Sequence, residues 1–172
     1  MPTNLELKAQ FPSIEQGSLI ASRFIKRDPE LLIHVDTYFN VREGRLKLRE
    51  KNLEEAELIY YLRNDIKSDK ISDYSIVPVH DAEGLKQLFN RVWGVKVVVD
   101  NKRLLYLYEN ARIHLDNVGG LGTFIEFEVL ITRGKSQASR LMRRLRETFG
   151  IGDDAVVAGS YSDLLIKKLT EG

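Results

Sequence analysis

The 172-residue sequence has no cysteine, which excludes disulfides, thiolate nucleophiles and zinc–thiolate centres. It also has no long hydrophobic run. A stretch such as "VKVVV" is far too short to span a bilayer as a helix, and "MPTNLELKAQ" at the N-terminus has no apolar segment of signal-peptide length. A cytoplasmic location is the default that follows. An excess of one charge is missing too: 26 basic side chains stand against 25 acidic ones, a formal net charge of +1. That balance predicts no general attraction to nucleic acid or to membrane. The three histidines, His34, His80 and His114, lie in separate segments without zinc-ligand spacing. "GGLG" at 119–122 fits neither a dinucleotide nor a Walker pattern, no helix follows it, and it reads as a hairpin turn. No nucleophile elbow is present.

What is present is a charge-rich chain, 43% hydrophobic and 30% charged, long enough to bury a substantial core as one domain over 1–172. Period-2 alternation dominates it. In "NLELKA" (4–9), Asn4, Glu6 and Lys8 share one face and Leu5, Leu7 and Ala9 the other. "LLIHVDTYF" (31–39), "GRLKLRE", "AELIYYLR" and "YSIVPV" are further strands, and Pro78 places the last at an edge or at its end. "VKVVVD", "LLYLYEN", "ARIHLD" and "TFIEFEVLI" read as four more, while "NDIKSDKISD" (64–73) is a loop by composition. Tyr60, Tyr106 and Tyr108 fall on apolar faces and read as core.

Three amphipathic helices punctuate the strands. Ser13 caps the first, with Gly17 an anomaly inside it. Asp81 caps the second, whose apolar stripe is Leu85, Leu88, Phe89 and Val92, and Gly94 stops it. Ser136 caps the third and Gly150 closes it. The basic run "SRLMRRLRE" on that third helix is its solvated face, and "YSDLLIKKL" suits one last short helix. About eight strands, often adjacent in sequence, argue for antiparallel pairing and an α+β fold. Eight antiparallel strands can close into a β-barrel with helices packed on the outside.

One strand face gathers Glu6, Lys8, Arg45, Lys47, Arg49, Arg63, Arg112, Asp116, Glu126 and Glu128. An open antiparallel sheet would leave such a face wet. A closing barrel, its apolar side covered by the helices, would instead enclose it. The signs cluster, basic in the middle strands and acidic in the first and last. A lumen so lined suits a polyphosphate with a divalent cation, because Arg forks match phosphate oxygens and carboxylates hold Mg²⁺ or Mn²⁺. Glu126 and Glu128, two apart on a strand, point the same way and can reach one metal or two, and Glu6 can complete the site. His114 is on the same face and is a further candidate for lining it.

The segments "NLELK", "GRLKLRE", "YYLR", "RIHLD" and "GLGTFIEFEV" occur in the order seen in CYTH proteins, the triphosphate tunnel metalloenzymes, and the resemblance spans about residues 4–168. That family includes class IV adenylyl cyclases, thiamine triphosphatases and inorganic triphosphatases. The resemblance implies an eight-stranded antiparallel tunnel binding a triphosphate with Mg²⁺ or Mn²⁺. It implies that Glu6, Glu126 and Glu128 are metal ligands assisted by Asp116. Lys8, Lys47, Arg49, Arg63, Arg103 and Arg112 would form the triphosphate-binding wall, and Glu6, Glu126, Glu128 and Lys8 would be the catalytic set. Tyr161 in "GSYSDLL" resembles a tyrosine that often opens the C-terminal family motif.

Two positions depart from the pattern: Asn4 stands where the family opens with Glu, and Asn101 where a basic residue is common. The Asn4 variant and "RIHLDNVGGLG" tilt the reading toward a cyclase-like enzyme, in which the 3′-hydroxyl of ATP attacks the α-phosphorus and pyrophosphate leaves. The alternatives are hydrolysis of a terminal phosphate, as in inorganic or thiamine triphosphatases, and a non-catalytic module that binds polyphosphate. Partners follow from the same resemblance: a small-molecule triphosphate, with a homodimer as the family's frequent assembly.

Overall fold

Each strand's alternating side chains must face two different environments, and the computed structural model, which describes residues 3–63 and 70–172, resolves this by closure. Eight strands, β1 (Thr3–Gln10), β2 (Glu30–Phe39), β3 (Arg45–Lys51), β4 (Glu55–Arg63), β5 (Lys70–Val79), β6 (Val95–Tyr108), β7 (Ala111–Val118) and β8 (Gly122–Leu130), form a closed barrel. Every neighbouring pair is antiparallel, in the order β1-β5-β4-β3-β2-β6-β7-β8, with β8 returning to β1. Four helices, α1 (Ile14–Ser22), α2 (Ala82–Val92), α3 (Lys135–Phe149) and α4 (Tyr161–Glu171), pack around it.

The barrel is inside out relative to a simple sandwich: its apolar core lies between strands and helices. Leu5, Leu7 and Ala9 of β1, Ile113 and Leu115 of β7, and Ile125, Phe127 and Val129 of β8 are buried against Leu141, Met142, Leu145 and Phe149 of α3 and against α1. Gly17 of α1 is explained by this packing. A Cβ there would come within 2.6 Å of Leu115 Cδ2 and 3.2 Å of Phe11, so glycine lets the helix lie directly on β7. Over one end of the barrel, Tyr161 at the start of α4 joins Tyr38, Val99 and Phe124 in a second apolar cluster, and a capping box of Ser160 and Asp163 fixes that helix start. The opposite end is open, since cavity-lining Glu30, Leu107 and Arg112 are exposed there.

Several expectations are corrected. The two strands expected around residues 95–109 are one, β6, because the polar residues Asn101, Lys102 and Arg103 continue the pairing with both β2 and β7. Residues 70–73 of the expected loop belong to β5 and pair with β1 and β4; residues 64–69 lie outside the described residues. Pro78 does stand at a strand end, as expected: β5 stops at Val79, and Pro78 pairs with Glu57 of β4 beyond the span that β1 reaches. Helix α3 is capped by Gly134 at φ +92° without a side-chain bond, whereas Ser136 accepts a hydrogen bond from Arg140 at 3.1 Å. Tyr106 is core as expected, but Tyr60 is exposed, and so are Leu88 and Val92 of α2. The helices bury the outside of β1, β7 and β8 and leave much of the outer β2–β5 face uncovered.

Candidate functional site

Inward-facing side chains from all eight strands line one cavity of about 510 Å³. Its wall includes the cations Lys8, Lys47, Arg49, Lys51, Arg103 and Arg112 and the acids Glu6, Glu30, Asp36, Glu57, Glu126 and Glu128. Period-2 alternation gives them one face, and closure of the barrel turns that face inward. In register, Lys8, Glu126 and His114 are direct cross-strand neighbours from β1 through β8 to β7, and Glu6, Glu128 and Arg112 form the parallel row two residues on.

On the β7–β8–β1 side, one ligand atom each from His114, Glu126 and Glu128 lies within 4.8 Å of the others. Two carboxylates and an imidazole are a donor set that suits a divalent cation such as Mn²⁺, and the carboxylates alone suit Mg²⁺. His114 Nδ1 is 3.1 Å from Glu126 Oε1, and Lys8 Nζ is 3.5 Å from Glu126 Oε2. Burial would push the Glu126 carboxyl up, but Lys8, the His114 hydrogen bond and Arg103 overcome this and hold it well below the usual range. Glu126 is therefore an anion across the working pH range. Glu6 faces Glu128 across the β1–β8 pair and lines the same cavity, outside the three-residue cluster. Glu128 is 3.6 Å from Arg112, whose side chain is 46% exposed at the open end.

On the opposite side, Asp36 of β2 organises the cations. It accepts from Lys47 Nζ at 2.9 Å, and its two oxygens accept a fork from Arg49 at 2.8 and 2.7 Å. Burial opposes ionisation of Asp36, yet Arg49 and Lys47 keep it far below the ordinary carboxylate range; the same bond raises the Arg49 guanidinium despite its burial. Lys47 also lies 5.4 Å from the Tyr38 ring centroid and 5.6 Å from that of Tyr61.

A second clamp holds Arg103. Asp116, fully buried on β7, takes Arg103 Nε at 2.7 Å and Nη2 at 2.8 Å, and it also accepts the Tyr161 hydroxyl at 2.6 Å. Burial would raise the Asp116 carboxyl, but Arg103 lowers it, while burial and the Asp116 charge raise the Tyr161 hydroxyl well above its ordinary value. Tyr161 therefore stays a neutral donor, with Lys8 Nζ 4.0 Å from its ring centroid.

Of the residues singled out from sequence, the structure brings Glu6, Lys8, Lys47, Arg49, Arg103, Arg112, Glu126 and Glu128 to one cavity, together with His114 and Tyr161. Asp116 is not on the cavity wall: Arg103 and Tyr161 occupy its oxygens. The Arg63 side chain lies outside the described residues. His80 follows β5 on the exterior, away from the cavity. Asn4 is buried with neither side-chain polar atom hydrogen-bonded, and Asn101 lines the cavity with its Oδ1 unpartnered. Asp36, Lys51, Glu57 and His34 were missed. For Asp36 and His34 the signal was available, since "LLIHVDTYF" places Leu32, His34, Asp36 and Tyr38 on one face.

This closed antiparallel barrel with a mixed-charge lumen is the fold of the CYTH proteins, and the chain belongs to that family: the CYTH domain matches residues 3–161. A relative from Methanocaldococcus jannaschii, named as a "Putative adenylate cyclase", is 28% identical over 163 residues, covering 88% of this chain and 89% of its own. Among solved structures, a Pyrococcus horikoshii protein superposes with a TM-score of 0.83 at 22% identity, covering 94% of this chain and 98% of that one. A Hippeastrum protein, described as a "Putative adenylyl cyclase" with a dominant triphosphatase activity, superposes with a TM-score of 0.69 at 13% identity, over 99% of this chain and 96% of that one. These structural likenesses concern the fold. No helix among the described residues is long and apolar enough to cross a membrane.

Proposed function

We propose that the tunnel binds a nucleoside or other organic triphosphate together with a divalent cation and processes it, with conversion of ATP to cyclic AMP and pyrophosphate as the first reading. The observation that carries this is the convergence of Lys8, Lys47, Arg49, Arg103 and Arg112 with Glu6, Glu126 and Glu128 on one cavity of about 510 Å³ inside the barrel. Phosphoryl and nucleotidyl transfer depend mainly on positioning and charge neutralisation, which fixed guanidinium and ammonium groups supply without reorganising. Arg49 and Arg103, clamped by Asp36 and Asp116, are set to take phosphate oxygens; Lys8 adds a cation on the acidic side, 3.5 Å from Glu126.

Glu126 and Glu128, with His114 and with Glu6 nearby, would hold the cation. Bound there, Mg²⁺ or Mn²⁺ would neutralise phosphate charge and lower the pKa of an attacking hydroxyl or water. In this assignment Asp116 acts as a positioning residue for Arg103, a change from direct assistance at the metal. The cyclase reading draws on the name of the Methanocaldococcus relative. Hydrolysis of the terminal phosphate is the second reading, favoured by the activity of the Hippeastrum neighbour.

The test is product analysis of purified protein with ATP, tripolyphosphate and thiamine triphosphate, each with Mg²⁺ or Mn²⁺. Cyclic AMP with pyrophosphate supports the first reading and orthophosphate the second. Binding without turnover would reduce the protein to a polyphosphate-binding module, and no binding of any of the three would remove the proposal.

A further inference from the structure

The least expected group in the tunnel is His34. It lies on β2, 3% exposed, on the cavity wall, and neither ring nitrogen has a hydrogen-bond partner. Buried polar atoms are rarely left so. Its direct cross-strand neighbours are Lys51 on β3 and Asn101 on β6, and Asn101 Oδ1 is also buried and unpartnered. Two orphaned side chains side by side on the wall of a cavity point to something that occupies the space beside them.

The charges around His34 define what that is. Asp36 on its own strand, Lys47 and Arg49 on β3, and Arg103 on β6 act on it. Burial first, then Arg49 and Arg103, with Lys47 adding to them, lower its pKa to about 2, and Asp36 opposes them without reversing the shift. A neutral imidazole can donate one hydrogen bond and accept one, but every cation beside it only donates. A polyanion lying on Arg49 and Arg103 would reverse the field and bring acceptor oxygens. The imidazolium form, with two N–H donors, then matches a phosphate oxygen on one side and Asn101 Oδ1 on the other.

We propose that His34, supported by Asn101, is a ligand-contacting residue of the tunnel that becomes protonated when a polyanion of the tripolyphosphate class binds. Binding then carries one proton into the protein. This rests on the triphosphate reading above and adds to it a proton-linked contact that the fixed cations cannot make. The sign follows from linkage. The His34 pKa rises on binding, so its contribution to affinity is present below the bound-state pKa and fades as pH rises through it.

The experiment is isothermal titration of the full chain with inorganic tripolyphosphate, with and without Mg²⁺, at pH 6 and pH 9 in buffers of different ionisation enthalpy. His34→Gln is run in parallel, so that protons exchanged by the ligand and by His114 cancel in the difference. We expect the parent protein to take up close to one more proton per tripolyphosphate than His34→Gln at pH 6, and none more at pH 9. The variant should lose about tenfold in affinity at pH 6 and little at pH 9, as for a charge-assisted hydrogen bond. Histidine-selective NMR of the parent protein gives the same answer if the variant does not fold: one buried imidazole should pass from neutral to protonated on saturation at pH 6, with His80→Gln and His114→Gln identifying the other two signals. Binding with equal proton uptake in both proteins, or a neutral His34 in the saturated complex, overturns this inference and leaves the triphosphate reading standing. Failure of both proteins to bind tripolyphosphate overturns both.

Discussion

The two sides of the tunnel hold their charges in different ways. On the β2–β3 side, Asp36 uses both oxygens on Arg49 and one of them also on Lys47, with every bond at 2.7–2.9 Å. On the β7–β8–β1 side, the acids Glu126 and Glu128 meet Lys8, Arg103 and Arg112 only at 3.5–3.6 Å. The first side is finished: its cations are aimed by a buried acid before any ligand arrives, and little entropy remains to lose on binding. Apart from Asp116, whose fork to Arg103 lies off the cavity wall, the acids of the second side meet these cations at longer range, the condition expected of a wall that the proposed cation would complete. On the proposed reading, a positive wall aimed by the chain faces a negative one that a bound cation would complete.

The sharpest way to break that comparison is Glu126→Gln, which keeps the shape and removes the charge that Lys8, His114 and Arg103 share. If Glu126 holds a metal, divalent-dependent turnover should fall by more than the ~10–100-fold typical of losing a mere outer partner of a metal site. Calorimetric titration with Mn²⁺ should show the affinity lost in parallel. A variant that turns over as fast as the parent would remove the metal assignment from this side.

Asp36→Asn attacks the finished side. It strands Lys47 and Arg49 with no counter-charge in a buried place, for which about 3–5 kcal/mol of stability is the expected loss. Denaturant unfolding measures it, and tripolyphosphate should restore more stability to the variant than to the parent, because the ligand supplies the missing anions. The parent carries a matching pH signature. Asp36 has a folded-state pKa depressed far below its unfolded value, so its stabilisation is fully present above about pH 4 and is lost as the pH falls below that. Acid unfolding of Asp36→Asn should lack this part of the slope.

The same contrast shows what could be read from residue order. Alternation in "NLELK", "GRLKLRE" and "GTFIEFEV" fixed which side chains share a face, and eight of the singled-out basic and acidic residues do line the cavity. Pairing between distant strands is invisible to that pattern. Asp36 looked like any strand acid until β3 laid Arg49 opposite it, and Asp116 shared the inward face but is covered by Arg103 and Tyr161. Tyr60 and Tyr106 have equivalent sequence contexts; only the docking of α1 and α3 on one half of the barrel makes one exposed and the other core. "VKVVVD" and "LLYLYEN" read as two strands because a polar run, 101–103, separates their apolar residues, whereas Asn101 and Arg103 line a polar lumen and the strand runs on.

Asp116→Asn separates a positioning acid from a metal ligand. Its oxygens hold Arg103 and Tyr161, so the variant should leave Mn²⁺ affinity near that of the parent while tripolyphosphate affinity falls by roughly tenfold, about the worth of one charge-assisted hydrogen bond at a site that loses its fixed aim. Equal losses for metal and polyphosphate would return Asp116 to the metal side of the comparison.

The smallest effect should come from outside the tunnel, and it calibrates the others. Gly17→Ala adds a methyl that meets Leu115 Cδ2 at 2.6 Å and Cδ1 at 2.8 Å, on a leucine with no exposed surface. Relieving that clash means moving α1 or turning Leu115, typically about 1–3 kcal/mol, while replacing a helical glycine returns about 1 kcal/mol. A net destabilisation of about 1 kcal/mol is expected, measured by denaturant unfolding. Leu115 points away from the lumen, so affinity for tripolyphosphate and the metal dependence of turnover should both stay at parent values. A Gly17→Ala protein that loses ligand affinity as Asp116→Asn does would mean that the tunnel variants report on the barrel's packing, and the distinction between a finished wall and an open one would have no support.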